Sequence, residues 1–192
     1  MGHNPIVITV KPNYASYNLI DNSLVKEVED IETYKTKSFD LLKLYSFFKS
    51  GDTRKSIPQS YIPNTSIFDK FTSFLRLNFF IPDSRVGWNK YAYQKATNII
   101  SNKQIDCLIT TGPPHSTHLI GLKIQNKYKL KWIVDLRDPW TEIFYLKNRF
   151  RFHFSEQKNK KLESEVLEKS DAIITTVGEK YHKILSNKVS NK

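Results

Sequence analysis

The sequence is poor in the residues that build disulfides, metal sites and membrane spans. It has one cysteine, Cys107, and five scattered histidines among 192 residues, so neither a disulfide framework nor a cysteine–histidine metal site is expected. No apolar run approaches the roughly 20 residues of a membrane-spanning helix. Residues 1–10 lack the basic segment and the long apolar run of a secretory signal peptide. We therefore expect a cytoplasmic protein without metal or other cofactor, which is soluble or at most lies on a membrane surface.

Acidic residues are also few. The chain has 19 Asp and Glu residues against 30 Lys and Arg residues, which gives a net charge of +11. This excess favours an anionic partner, such as a membrane surface, a phosphorylated ligand or nucleic acid. The charges are spread along the chain, and no basic run is long enough to form an arm or tail. Nucleic acid is the partner we do not expect, because no recognisable binding module or stacked aromatic platform is present.

Residues 105–140 have the pattern of a βαβ unit. Residues 107–109 form a short apolar run typical of a strand buried on both faces, so Cys107 is expected to be a small buried side chain. A Gly-Pro-Pro run ends this strand, and Ser116 is a good N-cap type for the helix that follows. Residues 132–134 form the second strand. A connection of this kind predicts parallel strands and a right-handed crossover.

Strands and helices alternate along the rest of the chain. Strands are predicted at residues 6–10, 31–36, 105–110, 131–135 and 172–175. Besides the helix of the βαβ unit, helices are predicted at 23–28, from Ser38 or Asp40 to Gly51, and at 67–80, 86–101, 156–168 and 178–185. Residues 52–66 are polar and predict a loop. The pattern predicts an α/β fold in which a single Rossmann-like domain, residues 1–192, has a parallel sheet flanked by helices.

Ligands of such sheets bind beyond the carboxyl ends of the strands, and both polar loops of the βαβ unit fall at that edge. The turn from Gly112 to Ser116 precedes a helix N-terminus, which suits an anion. His115 in that turn can donate to a phosphate or to a sugar hydroxyl. The alternative is that His115 is a solvated turn residue. His118, one step into the helix, is expected to be structural.

The loop after the second strand of this unit contains Arg137 and Asp138. Arginine suits the recognition of phosphate or carboxylate, and aspartate suits sugar hydroxyls. The alternative is an Arg–Asp pair that braces the loop, with Pro139 and Trp140 packed under it. Asp135 is expected to be structural.

Five segments carry a resemblance to a known family. They are VITVKPNYASYNLIDNSL, NFFIPDSRVGWNKYA, ITTGPPHSTHLIGL, WIVDLRDPWTE and ESEVLEKSDAIITTVGEKY. In the same order, they resemble segments of the amino-terminal domain of family 4 glycosyltransferases, which have the GT-B fold. The resemblance implies retaining transfer of a sugar from a nucleotide-sugar donor to a cell-envelope polysaccharide or a lipid-linked, glycolipid acceptor, without a metal ion, in the cleft between two domains.

The resemblance also implies roles for particular residues. Asp138 would be catalytic, by orienting or deprotonating the acceptor hydroxyl. The residues expected to bind the acceptor or the phosphate are Gly112, His115, Ser116 and Arg137. Asp83 and Arg85 lie in a loop where the family contacts the acceptor, although structural bracing is the favoured interpretation of both.

The sequence departs from the family pattern at both ends. In the family, a first strand and a glycine-rich loop precede the segment that starts here, and a second, carboxy-terminal domain binds the donor. We therefore expect this chain to form an incomplete half of a GT-B fold, the half that binds the acceptor. We expect that half to be inactive as an isolated chain. The family's first strand lies between the strands predicted at 6–10 and 105–110. The sheet must close that gap or leave strand edges unpaired.

A second hypothesis is a non-catalytic, basic Rossmann-like module that docks on anionic lipid or nucleic acid. Two segments, residues 67–80 and 144–154, interleave phenylalanines with Lys and Arg. A helix of this kind can lie in an anionic lipid surface. The alternative is that the phenylalanines are core residues and the basic side chains face solvent. Peripheral attachment to the membrane should depend mainly on electrostatic attraction, and it should therefore weaken as the salt concentration rises.

Overall fold

The structure, a computed structural model, describes residues 2–15, 25–39, 67–143, 150–176 and 178–189. In these ranges the chain has an α/β architecture of parallel sheets flanked by helices, which confirms the predicted fold class. In chain order the elements are β1 (Ile6–Val10), β2 (Glu32–Thr36), α1 (Ile67–Phe79), α2 (Asn89–Asn102), β3 (Cys107–Gly112), α3 (Ser116–Tyr128), β4 (Lys131–Leu136), α4 (His153–Lys169), β5 (Ala172–Thr175) and α5 (Glu179–Ser186).

All five predicted strands are present, and all pair in parallel. β1 pairs with β2, from Ile6 opposite Glu32 onward. β4 lies between β3 and β5 in a second sheet. β3 begins and ends two residues later than predicted, because its last pairing places Gly112 opposite Leu136. The backbone at Gly112 therefore still belongs to the sheet, and the turn begins only at Pro113.

The strands form two sheets rather than one continuous sheet. Among the described residues, β1 and β3 do not pair, so each keeps one edge without a strand partner. Within the described ranges, strand edges are thus left unpaired, which is the second of the two expected outcomes. Helices join the sheets, because α2 packs on β1 and β2 and α3 packs on β3. Ile8 of β1 and Leu108 of β3 both pack against the buried cluster that α2 and α3 form between them.

The main core lies on one face of the β3–β4–β5 sheet. Trp132, Val134 and Leu136 of β4 are completely buried there, against side chains of α3, α4 and α5. Gly121 of α3 lies directly over Trp132. A Cβ atom at Gly121 would come within 2.5 Å of the indole ring, so glycine is what allows this helix to approach the strand so closely.

The opposite face of the same sheet is open. Ile109 is 60% exposed and Ile174 is 50% exposed, and Cys107 is exposed as well. The prediction that Cys107 is buried is therefore wrong. The apolar run at residues 107–109 is compatible with helices on both faces, but in the described structure helices cover only the face to which Leu108 points.

The helices follow the predicted pattern with shifted ends. Val86–Trp88 forms a 3₁₀ turn that leads into α2, and α4 starts three residues earlier than predicted, at His153. The predicted helix from Ser38 or Asp40 to Gly51 lies outside the described residues apart from its first positions, and the loop at 52–66 lies wholly outside them. In the predicted helix 23–28, Val25 and Lys26 are helical. Within the described ranges, no helix is both long enough and apolar enough to cross a membrane.

Candidate functional site at the carboxyl edge of the sheet

The loops that follow β3 and β4 lie side by side at the carboxyl edge of the sheet. The backbone N–H of Arg137 donates to the Gly112 carbonyl at 3.1 Å. Its guanidinium donates from Nη2 to the Pro113 carbonyl at 3.3 Å. From the far side, the Thr176 hydroxyl donates to the Arg137 carbonyl at 2.6 Å. Three strand ends therefore converge around the two polar loops of the βαβ unit.

Asp83 occupies the N-terminus of α3. Ser116 is the first residue of this helix rather than its N-cap, and the N-cap position, His115, makes no capping hydrogen bond with its side chain. The Asp83 carboxylate accepts from the Ser116 N–H at 2.8 Å and from the Ser116 hydroxyl at 2.9 Å. It also accepts from the Arg85 N–H at 2.9 Å. A carboxylate thus holds the place where the sequence predicted a ligand phosphate.

His118 is held by a chain of hydrogen bonds in the buried interior. The Trp132 indole N–H donates to the Thr110 hydroxyl oxygen at 2.9 Å, and Thr110 Oγ1 lies 2.9 Å from His118 Nδ1. Because the indole can only donate, the Thr110 oxygen is the acceptor of the first of these two bonds. Burial lowers the pKa of His118 to about 3, so the ring is neutral at physiological pH.

Gly112 brings the two histidines of the turn together. A Cβ atom at this position would lie 2.5 Å from His118 Nε2 and 3.2 Å from His115 Nδ1. Any larger residue would therefore push one of the imidazoles out of place. Gly112 shapes this site by its lack of a side chain, whereas the sequence had suggested that it binds phosphate through the turn.

His115 lies flat against Trp140, with ring centroids 5.1 Å apart and ring planes 6° apart. The residue is only 8% exposed, so the interpretation of His115 as a solvated turn residue is wrong. Neither ring nitrogen has a hydrogen-bond partner of good geometry among the described residues, although the Pro139 carbonyl lies close enough to raise the pKa of the ring. Buried polar atoms are nearly always paired with protein, water or ligand. The imidazole of His115 is therefore the group at this edge to which a bound ligand would supply a missing hydrogen bond.

The charges around His115 are mostly negative. Burial lowers the pKa of His115, and this effect is opposed, in decreasing order of strength, by the carboxylates of Asp83 and Glu163, the Pro139 carbonyl and the Asp138 carboxylate. Burial is the largest influence, which favours the neutral imidazole. A neutral imidazole has one donor and one acceptor nitrogen, and it can therefore pair with a hydroxyl group in either direction.

Arg137 and Asp138 are both exposed beside this cluster. Among the described residues no ion pair joins Arg137 to Asp138, so the predicted alternative of a bracing Arg–Asp pair is not what the structure shows. Trp140 is packed as expected, at 4% exposure, and its indole N–H donates to Asn159 at 3.3 Å. The exposed carboxylate and guanidinium are thus available on the solvent side of a buried aromatic and imidazole stack.

A second network anchors the loop after β4. Glu163 of α4 is 1% exposed and accepts from the Thr141 hydroxyl and from Lys188 Nζ, the latter at 2.8 Å. Lys188 also forms an ion pair with Glu142 at 3.2 Å. Sequence reasoning missed Glu163, because a single glutamate in a charged helix carries no signal of burial. Thr110 was also missed, although two-residue alternation places it on the same face as Leu108.

The described residues contain no group of three or more His, Cys, Asp or Glu side chains placed to hold a metal ion. Comparison with known protein families, with curated proteins and with solved structures gave no match for this chain.

Proposed function

We propose that this chain is the acceptor-binding part of a retaining glycosyltransferase, which transfers a sugar from a nucleotide-sugar donor to a cell-envelope polysaccharide or glycolipid. The observation that carries the proposal is the buried, unpaired imidazole of His115 at the carboxyl edge of a parallel sheet. The five sequence segments that resemble family 4 glycosyltransferases support it, and two of them, ITTGPPHSTHLIGL and WIVDLRDPWTE, form this edge.

In this proposal a sugar hydroxyl of the acceptor pairs with His115, whose ring nitrogens are buried in the free chain, so the turn around the ring opens when the acceptor binds. The neutral ring can donate from one nitrogen and accept at the other, and Trp140 holds the plane of the ring in a fixed orientation. Asp138 lies on the exposed side, where its carboxylate can orient or deprotonate the acceptor hydroxyl that attacks the donor. A positioned acid–base group of this kind is typically worth about 10²–10⁴ in rate.

Phosphate recognition falls to Arg137 in the proposal. The first N–H group of α3 and the Ser116 hydroxyl are both taken by Asp83, which makes Ser116 a poor phosphate ligand. The guanidinium of Arg137 is exposed and fixed at one nitrogen by the Pro113 carbonyl. Its remaining donors suit a phosphate or diphosphate. Asp83 and Arg85 do not contact the ligand in this proposal. They set the position of the turn that contains His115.

The proposal can be tested by histidine-resolved NMR on the 192-residue chain with isotope-labelled histidine. The probes are a panel of methyl glycosides and of alkyl-phosphate-linked sugars. At least one probe is expected to shift the ring signals of His115. His115→Ala should weaken its binding by about 1–3 kcal/mol, the cost of losing a hydrogen bond to a charged or buried group, and Asp138→Asn should weaken it as well.

His153→Ala is the matched control, because His153 is an exposed histidine at the start of α4 and its loss should leave binding unchanged. Nucleotide sugars are expected neither to bind at micromolar concentration nor to be hydrolysed or transferred by this chain, since donor binding belongs to the second domain of the family that the chain resembles. Turnover, micromolar nucleotide-sugar binding, or a probe panel that leaves His115 unperturbed would refute the proposal.

A further inference from the structure

Five phenylalanines form one contiguous cluster where α1 meets the start of α4. Phe74 stands at the centre, stacked on Phe150 with ring centroids 6.0 Å apart and edge-on to Phe152 at 5.3 Å. Phe79 packs edge-on against both Phe74 and Phe152. Phe154 stacks on Phe152 at 5.5 Å. We call these five residues the phenylalanine cluster.

A buried asparagine holds the cluster together. Asn78, which is completely buried, donates to the Phe74 carbonyl at 2.9 Å and accepts the backbone N–H of Phe152. Its own carbonyl accepts the Ser155 hydroxyl at 2.9 Å. These bonds fix the end of α1 to the start of α4, so the cluster is a built feature of the fold and not a chance contact of surface side chains.

The cluster is largely open to solvent. Phe79 is 58% exposed, Phe150 is 69% exposed and Phe154 is 55% exposed, while Phe74 and Phe152 are half-buried between them. The interpretation that the phenylalanines of these segments are core residues is therefore wrong for the three outer rings. Contiguous exposed apolar surface of this kind marks an interaction site on a folded protein.

Basic side chains border the cluster. Lys158 and Lys161 follow Phe154 at spacings of four and seven residues on the exposed face of α4, a spacing that aligns side chains along one helix face. On α1, the exposed Lys70 stands one turn before Phe74. From Phe150 to Lys161 the chain has four basic residues and one acidic residue, Glu156, which is half-buried. The four basic residues are Arg151, Lys158, Lys160 and Lys161.

We infer that the phenylalanine cluster and its basic border form a docking surface for an anionic lipid membrane. Exposed rings can enter the interface between headgroups and acyl chains, while the lysines meet anionic headgroups. A second copy of this chain is the poorer partner, because it would bring the same basic border and the same net charge of +11 against it. This inference does not depend on the proposed function, since the cluster and the candidate site share no residue.

The test is binding to vesicles of phosphatidylcholine, with and without phosphatidylglycerol. The full chain should bind the anionic vesicles preferentially and release as salt rises past about 0.1 M, where the Debye length is about 10 Å. The double substitution Phe79→Ser and Phe150→Ser should lower the partition coefficient at least about tenfold, because each change removes a large apolar side chain from the interface. Lys158→Gln with Lys161→Gln should lower binding and flatten its salt dependence.

The matched control is Ile109→Ser with Ile174→Ser, which removes two apolar side chains of comparable exposure, 60% and 50%, from the open face of the sheet. It should leave vesicle binding unchanged. A separate variant, Phe150→Trp, should show fluorescence quenched by brominated lipid only in anionic vesicles. The unaltered chain gives the baseline from the native tryptophans, of which Trp132 and Trp140 are buried and Trp88 is half-buried.

Three outcomes would overturn the inference: equal binding to neutral and anionic vesicles, equal losses in the control and the phenylalanine variant, or no quenching of the new tryptophan. Sedimentation tests the remaining alternative, which is that a second copy of this chain packs on the phenylalanine cluster. If the chain self-associates and the phenylalanine substitutions abolish that association without changing vesicle binding, the cluster joins copies of the chain instead. A thermal melt of each variant shows whether it is folded, and exposed positions make loss of the fold unexpected.

Discussion

The two faces of the β3–β4–β5 sheet are built from the same strands and have opposite environments. On the covered face, Trp132, Val134 and Leu136 are completely buried, and Thr110 is 5% exposed. On the open face, Ile109 and Ile174 remain at least half exposed. Residue type does not separate the faces, because isoleucine and valine have similar strand preference and similar hydrophobicity. The difference comes from the described helices, which lie on one side of this sheet.

This difference in burial between the two faces also determines where the protein can hold buried hydrogen-bonding groups. A buried hydroxyl and a buried imidazole are stable on the covered face because Trp132, Thr110 and His118 pair with each other. The same interior keeps His115 away from water while leaving its ring nitrogens unpaired. A hydrogen bond to a ligand is stronger in such a place than in water. The open face has no comparable interior, and it offers area for contact rather than a site for chemistry.

The largest expected effect is the loss of the central side chain of the covered face. Trp132→Ala should lower the free energy of unfolding by about 3–5 kcal/mol, because it leaves a cavity beneath Gly121 and removes the donor to Thr110. Ile109→Ala, on the open face of the neighbouring strand, should change it by less than about 0.5 kcal/mol. Urea unfolding followed by circular dichroism measures both. Similar losses in the two variants would show that the open face is covered in solution.

A second expected effect is a loss of stability in acid that comes from the covered face. His118 has a folded-state pKa of about 3 against an ordinary value of 6.5, so the unfolded chain takes up a proton first as the pH falls. Stability is therefore retained above pH 6.5 and is lost by about 1.4 kcal/mol for each pH unit below it. At pH 4.5 the loss from this residue is roughly 2–3 kcal/mol. His115 contributes in the same direction, because burial lowers its pKa too.

Urea unfolding between pH 7 and pH 4.5 measures this slope. His118→Asn keeps an acceptor near the Thr110 hydroxyl but cannot take up a proton, so the variant should lose distinctly less stability over the same interval, although it starts lower at pH 7. His153→Asn replaces a histidine that is already exposed in the folded chain, and its slope should match that of the unaltered protein. An unchanged slope in His118→Asn would mean that another group dominates the acid response.

The contrast between the faces also marks what the sequence could and could not predict. Alternation and apolar runs were enough to predict five parallel strands, since these signals are local in the chain. The split into two sheets and the exposure of Cys107 depend on which helices cover which strands, and a short apolar run looks the same in either case. At the candidate site, strand ends predicted the meeting of the two loops. The capture of the α3 N-terminus by Asp83, 33 residues away, had no signal in the turn itself.

The smallest expected effect gives the most direct comparison of the two faces. Cys107 is the one cysteine of the chain, and it is exposed at the start of β3. Cys107→Ser should change the free energy of unfolding by less than about 0.5 kcal/mol, because the side chain fills no cavity and already contacts solvent. Under native conditions Cys107 should react with a maleimide at nearly the rate seen in denaturant, since access limits the reaction of a buried thiol.

A thiol on the covered face supplies the counterpart to Cys107. In the Cys107→Ser background, Val134→Cys places a thiol at a completely buried position of β4, and this thiol should react only through unfolding. Its labelling rate should therefore fall with the fraction of unfolded chain, whereas that of Cys107 should not depend on stability. Equal protection of the two thiols would show that both faces are covered in solution. Unequal protection would place the boundary between core and surface within the single layer of the sheet, because Cys107 of β3 and position 134 of β4 lie on its two opposite faces.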